Sequence, residues 1–337
     1  MKPNADVCVI IAAKNAGQTI GRAITSALRE PETAEVVVVD DGSSDSTASV
    51  SRQMDDGTGR LTVVSFEVNK GPAAARNHAI LMSKSPVLAI LDSDDFFFPG
   101  RLHNLLSQSG WDFIADNIAF VDEDKASTAH LALEAFPAAP RILNLHEFIA
   151  GNISKRGVRR REIGFLKPLM RREFLDKHRL RYQESLRLGE DYDLYARALT
   201  KDARYKIIHS CGYGAVVRSN SLSGSHRTVD LKRLYEADRA ILAQTGLSPQ
   251  VRALIARHER HIRGRYELRE FLDIKRQSGS RAALAHALGN PSAIPAIATG
   301  IFADKIDYFR RQPEAAPVAL GGSGGLRYLL QPPSRAV

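Results

Sequence analysis

Two cysteines and a single tryptophan in 337 residues are the scarcest features of this chain. Cys8 and Cys211 stand far apart and in no C-x-x-C spacing, which excludes a disulfide framework and the cysteine-pair zinc patterns. Cys8 lies within an apolar run, where a reduced, buried thiol is expected. Long hydrophobic runs are also missing. No apolar stretch follows a basic one near Met1, so no signal peptide is expected. The longest weakly polar stretch late in the chain, residues 293–303, is broken by Pro295 and too short to span a bilayer. The expectation is a cytoplasmic protein, soluble or peripheral on the inner face of the cytoplasmic membrane. No G-x-G-x-x-G follows the first apolar run, which disfavours a dinucleotide-dependent dehydrogenase.

What is present is an ample core and a basic balance. The chain is 44 % apolar, enough for one large domain or a domain with an appendage. Its net charge of +9 favours anionic partners, without choosing among nucleic acid, an acidic membrane surface and phosphorylated substrates.

Short apolar runs alternate with helical patterns through the first half. Val7 to Ala12, Val36 to Val39, Leu61 to Phe66 and Val87 to Leu91 read as buried strands. Between them, Ile20 to Leu28, the segment after Asp45-Ser46 and Pro72 to Met82 read as helices, the last with proline in its first turn. This rhythm predicts an α/β fold, a Rossmann-like and mostly parallel sheet flanked by helices. Glu190 to Leu199 reads as a further helix, and residues 229–311 as a basic helical extension. The tail 312–337, with Gly321-Gly322-Ser323-Gly324-Gly325, is expected to be disordered. The α/β domain is thus assigned to residues 1–228.

Ligands bind such sheets at the carboxyl ends of the strands, where three polar clusters gather. Asp92-Ser93-Asp94-Asp95 packs three carboxylates into four residues; their repulsion is relieved by a hard divalent cation completed by a diphosphate. A solvated acidic turn is the competing account. Asp40-Asp41-Gly42-Ser43-Ser44-Asp45 is explained as a strand exit and helix cap, except for its doubled aspartate, which can accept from a base or a ribose. Lys70, Gly71, Pro72 and Arg76 open a helix whose N-terminus favours an anion, although a plain basic helix start explains them as well. Gly189-Glu190-Asp191 fits helix capping, and equally a general base for a sugar hydroxyl. Between residues 155 and 181, 11 lysines or arginines face three acids; this cluster and the basic C-terminal helices suit an anionic lipid surface or simply a solvated face.

Taken in order, these segments resemble glycosyltransferase family 2, the inverting group with a GT-A fold. The resembling residues are Val7 to Ala12 with Asn15, Val38 to Asp45, Asn69-Lys70-Gly71 with Ala75-Arg76-Asn77, Leu91 to Asp95 with Pro99, Arg101 and Leu102, and Gly189-Glu190-Asp191 with Arg197. The resemblance implies a donor site of Ala12, Asp41, Arg76, Asp92, Ser93 and Asp94, with Ala12 and Asp41 on the uridine and Asp92 facing the ribose. It implies Mn²⁺ or Mg²⁺ on Asp94 and Asp95, and Asp191 as the catalytic base. Residues 218–223 resemble an element near the donor phosphates.

Two departures matter. Lys14 stands where an aromatic is frequent in the family, and the Gln-x-x-Arg-Trp signature of processive synthases is missing, since Trp111 is the only tryptophan. Addition of a single sugar is therefore expected. The opening also resembles rhizobial glucosyltransferases of succinoglycan assembly, which implies UDP-glucose as donor and a polyprenyl-diphosphate-linked saccharide as acceptor. The rival readings are a nucleotidyltransferase, a non-catalytic nucleotide-sugar-binding homologue and a basic nucleic-acid-binding protein. The last leaves the acidic strand ends unexplained.

Overall fold

Four β-branched, apolar runs build one half of the sheet. In the computed structural model, which describes residues 6–126, 133–134, 136–153, 163–217, 227–310 and 326–330, these are Val7–Ala13 (β1), Thr33–Asp40 (β2), Leu61–Ser65 (β3) and Val87–Ile90 (β4). They pair in parallel in the order β3-β2-β1-β4, with Ala13 beside Asp40 at the carboxyl edge. Each return crosses a helix: Ile20–Leu28 (α1), Thr47–Gln53 (α2) and Pro72–Met82 (α3). Burial of β1, β2 and β4 between helical layers explains their lack of apolar–polar alternation.

Beyond β4 the sheet is mixed. Its strands are Phe96–Phe97 (β5), Phe113–Asp122 (β6), Arg141–Ile142 (β7), Leu169–Arg171 (β8), Tyr205–Val217 (β9) and Arg327–Tyr328 (β10). β8 lies antiparallel between β4 and β6, β6 and β9 run parallel, and β5 closes the far edge against β9. The antiparallel insertion has a consequence for the site. Ala89 pairs with Leu169, so the residues just before β8 lie at the edge that the end of β4 reaches. The helices of this half are Arg101–Leu106 (α4), Leu145–Asn152 (α5), Arg172–Lys177 (α6) and Glu190–Leu199 (α7).

The chain divides into one unit of Met1–Ser221 with Leu326–Val337, and a second of Leu222–Gly325. The expected disordered tail is corrected at its described part, residues 326–330. There β10 pairs antiparallel with β6, and the side chain of Asn117 accepts from the Leu330 N–H at 2.7 Å and donates to its carbonyl at 2.9 Å. Leu329 and Leu330 are buried, so this apolar end folds as part of the sheet. The second unit consists, among the described residues, of Thr228–Leu242 (α8), Pro249–Gly289 (α9) and Ile294–Arg310 (α10). Inside α9, Gly279 has φ 85°, a left-handed value that breaks the helix there.

Candidate functional site

The turn after β4 is pinned from two sides. Thr19 of the α1 entry donates its hydroxyl to the Ser93 carbonyl at 2.9 Å, and Arg22 donates to the Asp94 carbonyl at 2.7 Å. From β9, the Tyr213 hydroxyl accepts from the Asp92 N–H at 3.2 Å and donates to the Asp95 carboxyl at 2.8 Å. Asp95 also accepts from the Val216 N–H at 2.9 Å and is buried. Burial, with the charges of Asp92 and Asp94 adding to it, pushes its carboxyl well above the usual range. These contacts tie Asp95, and with it the turn, to β9.

Asp92 points the other way. It accepts from Arg76 and from Lys167, both at 2.9 Å. Asp191, at the start of α7, shares the same two cations, at 3.2 Å to Arg76 and 2.8 Å to Lys167. Glu190 adds a third carboxylate at 2.6 Å from Arg76. Burial opposes ionisation of Asp92, but Lys167 and Arg76 outweigh it and hold the carboxyl down at about 2. Burial alone would lower Lys167, yet Asp191 and Asp92 raise it above the usual lysine range. The three acids raise Arg76 in the same way against its own burial. Taken out of water, two cations and three carboxylates stabilise one another only in this geometry.

The fold explains how they meet. Arg76 lies one turn into α3, and the adjacent Asn77 locks the chain leading to α7. Asn77 accepts from the Tyr182 N–H at 2.9 Å and donates to the Tyr182 carbonyl at 2.9 Å. The Tyr182 ring lies 5.3 Å from the Arg76 guanidinium. Gly189, with φ 84°, turns the backbone through the left-handed region so that Glu190 and Asp191 open α7 toward Arg76. Their charges also suit the helix N-terminus. Arg101, itself buried on Asp116 at 2.9 Å, donates to the Lys167 carbonyl at 2.5 Å and so fixes the lysine.

Lys167 is the member of this cluster that motif reading misses. In sequence it is one of the cations of the 155–181 run. A usable signal exists: within Gly164-Phe165-Leu166-Lys167-Pro168-Leu169-Met170 it is a lone charge among apolar residues. Among the other described members of the run, Arg171, Lys177 and Arg179 are exposed. Arg171 lies 4.2 Å over the Trp111 ring, Arg172 donates to the Ser85 and Ile80 carbonyls, and Arg181 pairs with Asp176 at 2.6 Å. Residues 155–162 lie outside the described residues, as do 218–223.

The nucleoside end is arranged differently. Asp41 follows β2 directly, and its two oxygens accept from the backbone N–H groups of Lys70 at 2.6 Å and Gly71 at 2.9 Å. Asp40 accepts from the Ser43 N–H at 3.1 Å, and Lys14 donates to the Gly42 carbonyl. Ala12 is half-buried near the end of β1. The structure thus brings Asp92, Asp191 and Arg76 into one cluster, and leaves Ala12 and Asp41 at the neighbouring strand ends.

For a cation the structure offers Asp94, half-buried at the turn edge. Among the described residues no group of three or more His, Cys, Asp or Glu side chains is arranged to hold an ion unaided. One or two carboxylates completed by substrate phosphates is how Mg²⁺ is commonly held, and the donor chemistry of Asp94 fits that role.

The fold is that of GT-A glycosyltransferases, as two solved structures show. Staphylococcus aureus TarS 1–349 in complex with UDP-GlcNAc matches with a TM-score of 0.59 at 21 % identity, over 86 % of this chain and 79 % of that one. The mannosyltransferase PcManGT from Pyrobaculum calidifontis, in complex with GDP-Man and Mn²⁺, matches at 0.52 and 16 % identity, over 91 % and 81 %. Those two complexes carry different nucleotides, so the fold does not select the donor. The family model described as glycosyl transferase family 2 matches residues 8–178. The succinoglycan biosynthesis protein ExoU of Rhizobium meliloti (strain 1021) is 68 % identical over 326 residues, 97 % of this chain and 95 % of that protein. The chain belongs to glycosyl transferase family 2, and it is a glycosyltransferase.

Proposed function

We propose that this glycosyltransferase moves a single glucose from a UDP-sugar, with inversion, onto a polyprenyl-diphosphate-linked saccharide during succinoglycan-type exopolysaccharide assembly. The observation that carries the reading is the meeting of Asp92 and Asp191 on the shared cations Arg76 and Lys167. It puts a carboxylate from the donor-side turn and a carboxylate from a facing helix within one small, partly buried volume. The relative named for succinoglycan biosynthesis supports the pathway, and the UDP-GlcNAc complex of TarS supports a uridine nucleotide.

On this reading Asp191 removes the proton from the acceptor hydroxyl as that oxygen attacks the anomeric carbon from the face opposite UDP. An α-linked donor then gives a β-glycoside. Asp92 faces the ribose, Ala12 and Ser93 complete the donor side, and Asp41 holds the Lys70-Gly71 loop beside it. Arg76 and Lys167 hold both acids in place, which is positioning work. Mn²⁺ or Mg²⁺ held by Asp94 would neutralise charge on the leaving diphosphate.

Titration calorimetry of UDP into the purified protein, with Mn²⁺ and then with excess chelator, tests the reading. Binding is expected only with the metal, and Asp94→Ala is expected to weaken it by about tenfold or more. No binding in either condition would transfer the reading to another nucleotide or to a non-catalytic homologue.

A further inference from the structure

The C-terminal unit contains a stretch whose charge pattern the transfer chemistry does not use. From Ile274 to Ala303 there is no Asp or Glu, and from Ala282 to Ala303 there is no Lys or Arg either. The cations Lys275, Arg276 and Arg281 precede the uncharged part, and all three are exposed. They bracket the break of α9 at Gly279.

This uncharged part folds as a hairpin. The end of α9 and the start of α10 are joined through a short 3₁₀ turn at Pro291–Ala293. Its inner side is apolar and small: Ala287, Ala293 and Ile297 cluster together, with Phe271 and Ile301 packed against them. Gly300 allows the close approach, since a Cβ there would lie 2.4 Å from Leu268. The hairpin is therefore fixed on α9 by its inner face, and its outer apolar residues are a lasting feature of the surface.

Those outer residues are large. Leu284 and Leu288, one helical turn apart, are 58 % and 64 % exposed. Ile294 is 40 % and Phe302 67 % exposed, on the same stripe of α10 as the exposed Ala298. Apolar side chains next to a cluster of cations, with no acid in between, match the interface of a bilayer carrying negative headgroups. A solvated helix would instead carry mixed charge on that side.

We propose that the hairpin 282–303 docks on an anionic lipid surface. Leu284, Leu288, Ile294 and Phe302 enter the headgroup layer, and Lys275, Arg276 and Arg281 meet its phosphates. No described helix is long and apolar enough to cross a membrane, so the contact is interfacial. The inference deepens the reading of a lipid-linked acceptor by naming the surface that holds the enzyme where such an acceptor resides.

Co-sedimentation of the full chain with vesicles tests it, using phosphatidylcholine alone and phosphatidylcholine mixed with phosphatidylglycerol. Binding is expected to the anionic vesicles only and to weaken with salt. The double variant Leu284→Glu with Leu288→Glu should lower the partition by about tenfold or more. Because Trp111 is buried, a Phe302→Trp variant adds a tryptophan whose emission brominated lipid should quench. Equal partition of the wild type and the double variant would overturn the proposal, as would an unquenched Trp at 302. Self-association that the double variant abolishes, with no vesicle binding, would assign the stripe to a second copy and overturn it too. UDP affinity measured without vesicles is a separate readout, so failure of the donor reading leaves the vesicle result standing.

Discussion

Asp41 and Asp191 are both carboxylates at the same edge of the sheet, yet they are held by different kinds of partner. Asp41 is 3 % exposed and grips two backbone N–H groups, those of Lys70 and Gly71. Asp191 is held by two side chains, Arg76 and Lys167. A backbone donor cannot leave without moving its loop, whereas a guanidinium or ammonium shared among several acids can exchange one carboxylate for another. The first arrangement is a latch, and the second is poised for exchange. The two are also connected. The loop that Asp41 fixes leads directly into α3, whose second turn carries Arg76, so the latch helps to place one of the cations on Asp191.

The largest effect expected on the exchange side is that of Asp191→Asn. Transfer should fall by about two to four orders of magnitude, the usual range for loss of a general base. UDP affinity should stay at the wild-type value. Single-turnover transfer together with calorimetry checks both, and normal turnover would remove Asp191 from the role of base.

Lys167→Met comes next. Its side chain is 6 % exposed and touches both Asp92 and Asp191, so its loss leaves these two half-buried acids, with Glu190, sharing Arg76 alone. A cost of about 3–5 kcal/mol is expected from breaking such a set, read as a lower urea midpoint. The acid limb gives a second readout. Asp92 sits at about 2 in the folded chain, below its unfolded value near 4, so its stabilisation is complete above about pH 4 and is lost as pH falls toward 2. Without Lys167 the folded value rises toward the unfolded one, and this increment disappears from the stability profile. A variant with unchanged midpoint and acid limb would mean that Arg76 alone suffices.

The latch is better advertised in the sequence than the exchange site. β1, β2 and β4 are legible because burial on both faces leaves uninterrupted β-branched runs, and the acids that end them stand out against that background. Gly189 before Glu190-Asp191 marks a helix start for capping reasons that need no tertiary knowledge. Lys167 is harder to read, because its role depends on β8, three residues long and without periodicity, entering antiparallel beside β4. Nothing local in Leu169-Met170-Arg171 announces that neighbour. The burial of Asp95 is hard to read for a related reason: in sequence it is equivalent to Asp94, and only the late strand β9, with Tyr213 and Val216, draws it into the interior. The pairing of Leu326–Leu330 with β6 and Asn117 is a third case, a contact across nearly the whole chain that no local pattern encodes.

The smallest expected effect is on the latch itself. Asp41→Asn keeps the shape but removes the charge, and an amide facing two N–H donors can accept from only one of them through its oxygen. Loss of one charge-assisted bond and exposure of a buried donor to an NH₂ group should cost about 1–3 kcal/mol. The loop from Asn69 to Gly71 would loosen first, and with it the start of α3. Hydrogen exchange at Lys70 and Gly71 should therefore quicken together with the drop in urea midpoint, while UDP affinity falls only as far as Arg76 is displaced. Loss of UDP affinity at an unchanged midpoint and unchanged exchange would show instead that the carboxylate is used on the base. The contrast between latch and exchange site would then collapse, since both acids would be serving ligand.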